Sequence, residues 1–246
     1  TNEAFRQQRE HVVLVGKFEC IFDDSGRTSW TSKVIKCLLP AGAGKDLPVA
    51  VRTTGVYGAK PDAFTYKTAV PSNNTALRGY TAGGDEIIVT GTNFGPSGDI
   101  VIGGSKNVTK VMSWSHQKIV FRVPEDEGFH LGGDLAIWPG GFEGNNPVVV
   151  GQFEYNPPSV TGVKSLKELT TSGLAAGEVT ITGTSFGSSK NGVTVTINGL
   201  PVNTTSVGHN AITVTINPGV GENHKIQVTR FTYNNNADVC LDRNLD

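Results

Sequence analysis

Few residues of this chain are typed and spaced for chemistry. The histidines, His11, His116, His130, His209 and His224, share no H-x-x-x-H or comparable ligand spacing, so they do not outline a metal site. Carboxylates cluster at Asp23-Asp24, Asp85-Glu86 and Glu125-Asp126-Glu127. Paired carboxylates can carry protons or hold calcium, but neighbours on a strand point to opposite faces, which separates Asp85 from Glu86. Asp23-Asp24-Ser25-Gly26 and Glu125–Gly128 read as solvated turns. The segment AGAGKD (Ala41–Asp46) hints at a phosphate loop, yet Asp46 stands where Ser or Thr should hold magnesium; a hairpin turn fits better. No Gly-x-Ser-x-Gly elbow occurs. Cys20 and Cys37 lie close together, as a disulfide or as two buried thiols, and Cys240 stands alone. It could pair between chains, pair beyond the visible end, or remain a buried thiol. No catalytic residue, cofactor or metal ligand is expected, and the chain does not read as an enzyme.

The elements that must position these residues are strands. Among 246 residues there are 31 Gly, 12 Pro and one Met, with abundant Thr, a composition of short strands joined by turns. The net charge is −1 and no basic stripe occurs, which argues against nucleic acid as a partner. No apolar run approaches the roughly 18 residues of a membrane span, and with no signal-peptide pattern at its start the sequence is expected to be a mature or internal portion of something longer. Sequons at Asn73, Asn107 and Asn203 permit glycan attachment, although a chain this rich in Asn, Ser and Thr would contain about as many by chance.

Internal repetition is the strongest signal. Three segments end alike, in AFTY (Phe64, Tyr66), QFEY (Phe153, Tyr155) and RFTY (Phe231, Tyr233), at spacings of 153 − 64 = 89 and 231 − 153 = 78 residues. GGDEIIVTGTNFG (Gly83–Gly95) and AGEVTITGTSFG (Ala176–Gly187) each join an alternating strand to a Gly-Thr-x-Phe-Gly turn. There, glycine allows positive φ where the strand reverses. Trp30 and Trp114 each precede, by ten residues, a proline that closes a strand, Pro40 or Pro124; both should pack in cores. Trp138, before a Gly-rich loop with Phe142, has no counterpart and is the better candidate for an exposed contact.

These motifs resemble the IPT/TIG domain, the immunoglobulin-like module of plexins, some receptor kinases and certain transcription factors. The resemblance rests on TGTNFG, TGTSFG, the strand VVLVG leading to Cys20, the segment IKCLLPAGAG and the closing Phe-x-Tyr. It implies an all-β chain of tandem immunoglobulin-like sandwiches, parsed as 1–70, 71–157, 158–235 and a tail, 236–246. It also implies a Cys20–Cys37 disulfide, because those positions match the family's two cysteines. The second unit carries Asn107 and Phe121 near the same places, and the third Val202 near the first of them.

The first unit begins at a middle strand and lacks the Gly-Thr-x-Phe-Gly turn and the strands before it. A sandwich missing two strands leaves edges unpaired, open to a strand from elsewhere. That strand lies upstream in a longer chain or comes from a neighbour. The tail can add one strand through Val239 and Leu241, with Cys240 between them, but not two. The corresponding stretch of the second unit, Lys67–Asp99, has 33 residues against 13 for Asn234–Asp246. The expected function is a non-enzymatic extracellular structural or adhesive protein, a subunit or segment of a surface filament joined head to tail with copies of itself. A receptor or adhesion ectodomain, or an accessory module of a secreted polysaccharide-degrading enzyme, is the alternative.

Overall fold

The computed structural model of the chain describes residues 11–23, 26–72, 77–126, 132–141, 146–165, 177–217 and 224–230. All regular elements there are strands. The N-terminal unit holds β1 (His11–Val15), β2 (Phe18–Glu19), β3 (Ser29–Trp30), β4 (Ile35–Lys36), β5 (Leu47–Thr53) and β6 (Val56–Phe64). The middle unit holds β7 (Val70–Pro71), β8 (Leu77–Gly79), β9 (Glu86–Thr92), β10 (Gly98–Ile102), β11 (Lys106–Asn107), β12 (Val111–Trp114), β13 (Lys118–Arg122), β14 (Gly132–Pro139) and β15 (Val148–Tyr155). The C-terminal unit holds β16 (Ser159–Ser165), β17 (Gly177–Thr184), β18 (Val193–Ile197), β19 (Leu200–Pro201), β20 (Asn203–Gly208), β21 (Ala211–Ile216) and β22 (Ile226–Arg230).

In the middle unit, sheet β11-β10-β14-β15-β8 faces sheet β12-β13-β9-β7. Period-two alternation sends Ile87 and Val89 of β9 and Ile119 and Phe121 of β13 inward. They meet Ile100, Ile102, Leu135, Ile137 and Phe153 of the other sheet in one core. Each such side chain contributes about 1.5–3 kcal/mol on burial. The C-terminal unit repeats the plan with sheets β16-β17-β21-β20 and β19-β18-β22 around Val179, Ile181, Phe186, Val195, Ile212 and Val214.

The Gly-Thr-x-Phe-Gly turn seats its phenylalanine at the core, and Phe94 and Phe186 are both fully buried. Its second glycine has positive φ (Gly95 +74°, Gly187 +84°), as the sequence implies. The first glycine is required for a different reason. Gly91 and Gly183 are not in the positive-φ region; a Cβ on them would lie 2.4 Å from Val70 O and 2.0 Å from Ser159 O, respectively. Glycine there lets the neighbouring strand and the phenylalanine ring close over the backbone. The positive φ also falls on Asn93 and Ser185, the residues before the phenylalanines.

Hydrogen bonding fixes the repeat correspondence. Cys20 N donates to Val13 O, Val108 N to Ile100 O and Val202 N to Val195 O. Cys20 therefore corresponds to Val108, one residue beyond the Asn107 suggested by the sequence, and to Val202. Trp30 pairs with Ile35 as Trp114 pairs with Ile119, so Cys37 occupies the place of Phe121. Cys20 and Cys37 form a disulfide with a Cα–Cα distance of 5.7 Å. It bridges the sheets where the other units pack valine or phenylalanine, within a core of Val13, Val15, Trp30, Ile35, Leu47, Val49 and Phe64. The closing Phe-x-Tyr also gains a role, because Tyr66 OH donates to Pro40 O and Tyr155 OH to Pro124 O, both at 2.9 Å. Each tyrosine thus ties the last strand to the proline that ends the hairpin strand.

Candidate functional site: the open edges and the joints

The N-terminal unit consists of sheet β2-β1-β5-β6 and the hairpin β3-β4. In the middle unit the strand equivalent to β4, β13, pairs along its other side with β9, from Lys118↔Thr90 to Arg122↔Glu86. Among the described residues nothing pairs with β4 on that side. Similarly β15 carries β8 as a parallel neighbour, Phe153↔Leu77 to Tyr155↔Gly79, whereas β6 ends its sheet among the described residues. Every position of β6 except Phe64 is exposed, while β15 buries Val150, Phe153 and Tyr155. Near the hairpin, Ile21, Val34 and Leu39 are 54%, 53% and 48% exposed. A cleft of about 270 Å³ lies at the end of β6, lined by Lys45, Thr65, Tyr66, Lys67, Asn93, Asn146 and Val148 among others. It sits beside Thr65-Tyr66, whose counterparts Glu154-Tyr155 are covered by β8.

The two tryptophans differ at the same place. Trp114 Nε1 donates to Phe94 O at 3.1 Å, clamping the Gly-Thr-x-Phe-Gly turn. Trp30 packs against His11 and Phe22, with ring centroids 5.1 and 5.7 Å away, and its indole N–H meets no acceptor among the described residues.

The joints between units are unequal. The middle and C-terminal units meet through polar groups. His209 contacts Glu125 Oε1 through Nε2 at 2.8 Å and Thr81 Oγ1 through Nδ1 at 3.2 Å. Thr81 is fully buried and also accepts from Gly187 N at 3.3 Å. The Thr81 hydroxyl can accept from the Gly187 amide and still share a hydrogen bond with Nδ1, while the other ring nitrogen meets the Glu125 carboxylate. Beneath them, Asp126 accepts from Lys106 Nζ at 2.6 Å. Arg230 of the C-terminal unit donates to Ser185 O at 2.9 Å, and its Nε has no hydrogen-bond partner among the described residues. Burial lowers the Arg230 pKa, opposed by the nearby Asp126 carboxylate. Burial raises the pKa of the Tyr155 phenol, and Asp126 adds to the rise. At the N-terminal joint Lys17 Nζ donates to Gly140 O at 2.9 Å, and Gly95 lies against Ala43 and Gly42.

Sequence reading missed this junction. It treated Glu125–Gly128 as a solvated turn, yet Asp126 is only 2% exposed. A carboxylate two residues after the strand-closing proline, with a lone arginine directly before Phe231, was the available signal; their meeting depends on how the units dock. Of the sequons, Asn107 lies exposed on β11 and Asn203 exposed on β20, where Thr205 Oγ1 donates to Thr213 O. Trp138 sits half-buried on β14 opposite Asp99. Asn73, Phe142, Val239, Cys240 and Leu241 lie outside the described residues. Among those that are described, no group of three or more His, Cys, Asp or Glu side chains converges as a metal site, and no helix is long and apolar enough to cross a membrane.

The family model of the IPT/TIG domain matches residues 71–152 and 158–238. No curated protein matches the chain in sequence. Solved structures do resemble it. A crystal structure with a xylogluco-oligosaccharide is 18% identical over 89% of this chain and 51% of its own, with a TM-score of 0.32. The full extracellular region of Plexin A4 is 16% identical over 90% and 19%, with a TM-score of 0.37. SGBP-B of the Bacteroides ovatus mixed-linkage glucan utilization locus, in complex with a mixed-linkage heptasaccharide, is 16% identical over 92% and 57%, with a TM-score of 0.24. The chain spans between 19% and 57% of the length of these structures.

Proposed function

The chain belongs to the IPT/TIG domain family, matched twice in tandem, and from that premise we propose that it is a non-enzymatic structural or adhesive segment of an extracellular surface filament. The observation that carries this reading is the pair of open edges on the N-terminal unit. The sides of β4 and β6 that β9 and β8 cover in the middle unit have no neighbour among the described residues. Unpaired edges recruit strands. A donor strand from another copy joins units head to tail, and such a contact does not close on itself, so it propagates. The tail, 236–246, supplies one strand through Val239 and Leu241, with Cys240 available to lock neighbours. The disulfide supports an oxidising, extracellular setting, and the exposed Asn107 and Asn203 are available for glycans.

Sedimentation and electron microscopy of the full chain, beside a chain truncated after residue 235, test the reading. Concentration-dependent head-to-tail oligomers that disappear on truncation are expected. A full chain that stays monomeric at high concentration, with a folded N-terminal unit, would refute it.

A further inference from the structure

We propose that the cleft at the first joint is a binding site for an acidic sugar, whose ring rests on the apolar lining while its carboxylate meets Lys45 and Lys67. Binding there needs no strand exchange and is independent of filament assembly.

The cleft is a product of residue choice at the joint. Its walls are the linker from Thr65 to Ala69 and loops of both flanking units. Strand register makes the two joints comparable. Val108 N bonds Ile100 O as Val202 N bonds Val195 O. Pro139, opposite Gly98, therefore holds the place of Arg230, opposite Val193. Gly42, two residues after its strand-closing proline, likewise holds the place of Asp126. At the second joint Arg230 and Asp126 are buried, at 5% and 2% exposure. At the first joint a proline and a glycine stand instead, and about 270 Å³ lies open between the units. Glycine at position 42 lets the Tyr66 ring lie close over the chain, where a Cβ would stand 2.6 Å from it. Tyr66 OH donates to Pro40 O, so this wall is set before any ligand arrives.

The lining offers three kinds of contact. Ala69, Pro139, Pro147 and Val148 supply apolar surface, which suits the C–H face of a saturated ring. Asn93 Nδ2 donates to Thr68 O at 3.1 Å, which leaves its Oδ1 to accept a hydroxyl, and the exposed Asn146 amide can donate and accept. The charge is cationic. Among the described residues no carboxylate lines the cleft; Asp46 pairs with Lys45 outside it at 3.4 Å, and Lys67 is exposed without an ion pair among the described residues. Phosphate is recognised by an arginine fork or converging short hydrogen bonds, which two exposed lysines beside apolar surface do not provide. A hydroxylated ring bearing one carboxylate uses all three kinds of contact. The volume falls just below the roughly 300–1,000 Å³ of small-molecule pockets, so the cleft suits one ring of a longer saccharide.

Titration of the full chain with trigalacturonate, followed by calorimetry and backbone amide NMR shifts, tests this. Saturable binding that moves the amides of Lys45, Lys67 and Val148 is expected. The methyl-esterified trimer, the same saccharide without charge, should bind about tenfold more weakly, and Lys45→Gln and Lys67→Gln should each weaken trigalacturonate about threefold. Both lysines are exposed, so these variants leave the cores intact; on the unaltered chain, affinity should fall as added salt screens the charges. No binding, or shifts confined to residues away from the cleft, overturns the site. Equal affinity for the ester overturns the role of the lysines. Displacement of the trimer by an equal concentration of inorganic phosphate overturns the sugar assignment.

Discussion

Replacing Asp126 by Asn should destabilise the middle and C-terminal units together. The Asp126 side chain is 1% exposed and the Lys106 side chain 29%, while Arg230 is 5% exposed. Asparagine keeps the shape but removes the negative charge that lies near the buried Arg230 and pairs with Lys106. Removing one partner of a buried ion pair costs about 3–5 kcal/mol; because Lys106 can re-enter solvent, the lower end, about 3 kcal/mol, applies. A cooperative unit of 150–250 residues loses roughly 2–4 °C of Tm per kcal/mol, so a joint melting of both units should fall by about 6–12 °C. If the units melt separately, the loss appears in transitions of half that size, and each kcal/mol shifts them about twice as far. Differential scanning calorimetry of the full chain reads both the shift and the number of transitions. Arg122→Gln serves as the control, since Arg122–Glu86 is exposed on both sides and contributes at most about 1 kcal/mol. A shift for Asp126→Asn no larger than the control's would refute the reasoning.

Other outcomes follow from features already described. Gly183→Ala should cost about 3 kcal/mol in a urea melt, since its Cβ would lie 2.0 Å from Ser159 O; a neutral substitution would contradict the close-approach account of that glycine. Reducing Cys20–Cys37, a link across 17 residues, should remove about 3 kcal/mol from the N-terminal unit alone. Hydrogen exchange should show protection lost in 11–66 and retained in β9–β15. The phenol of Tyr155 has a pKa raised by burial and by Asp126, so the folded state holds its proton more tightly than the unfolded one. Its contribution is complete below about pH 10, the unfolded value, and declines as pH rises through the higher folded value. Urea midpoints that fall between pH 9 and 11, and fall less in Tyr155→Phe, are expected.

Much of the fold is legible in the residues because period-two alternation and glycine-bounded turns are local. Ile87/Val89 and Val179/Ile181 announce inward strand faces, and the repeated Phe-x-Tyr marks where each sandwich ends. Correspondence by hydrogen bonding was less legible: a hairpin turn shifted Cys20's counterpart from Asn107 to Val108, because the turn after the glycine strand lengthens by one residue. The first glycine of the Gly-Thr-x-Phe-Gly turn looked like a conformational requirement and is a spatial one, which only the neighbouring backbone at Val70 or Ser159 reveals. The junction groups Thr81, Asp126, His209 and Arg230 are far apart in sequence and read individually as turn or surface residues. Their meeting depends on rigid-body docking, which no local pattern encodes.

His116 and His209 occupy the same hairpin position, each offering its carbonyl to the phenylalanine of the turn, Phe94 or Phe186, at 3.0 Å. The residue after the strand-closing proline differs, Ala41 at one joint and Glu125 at the other. His116 therefore finds no carboxylate there, whereas His209 does. Where such units are joined in series, the residue after the strand-closing proline thus decides whether the hairpin histidine carries a contact across the joint.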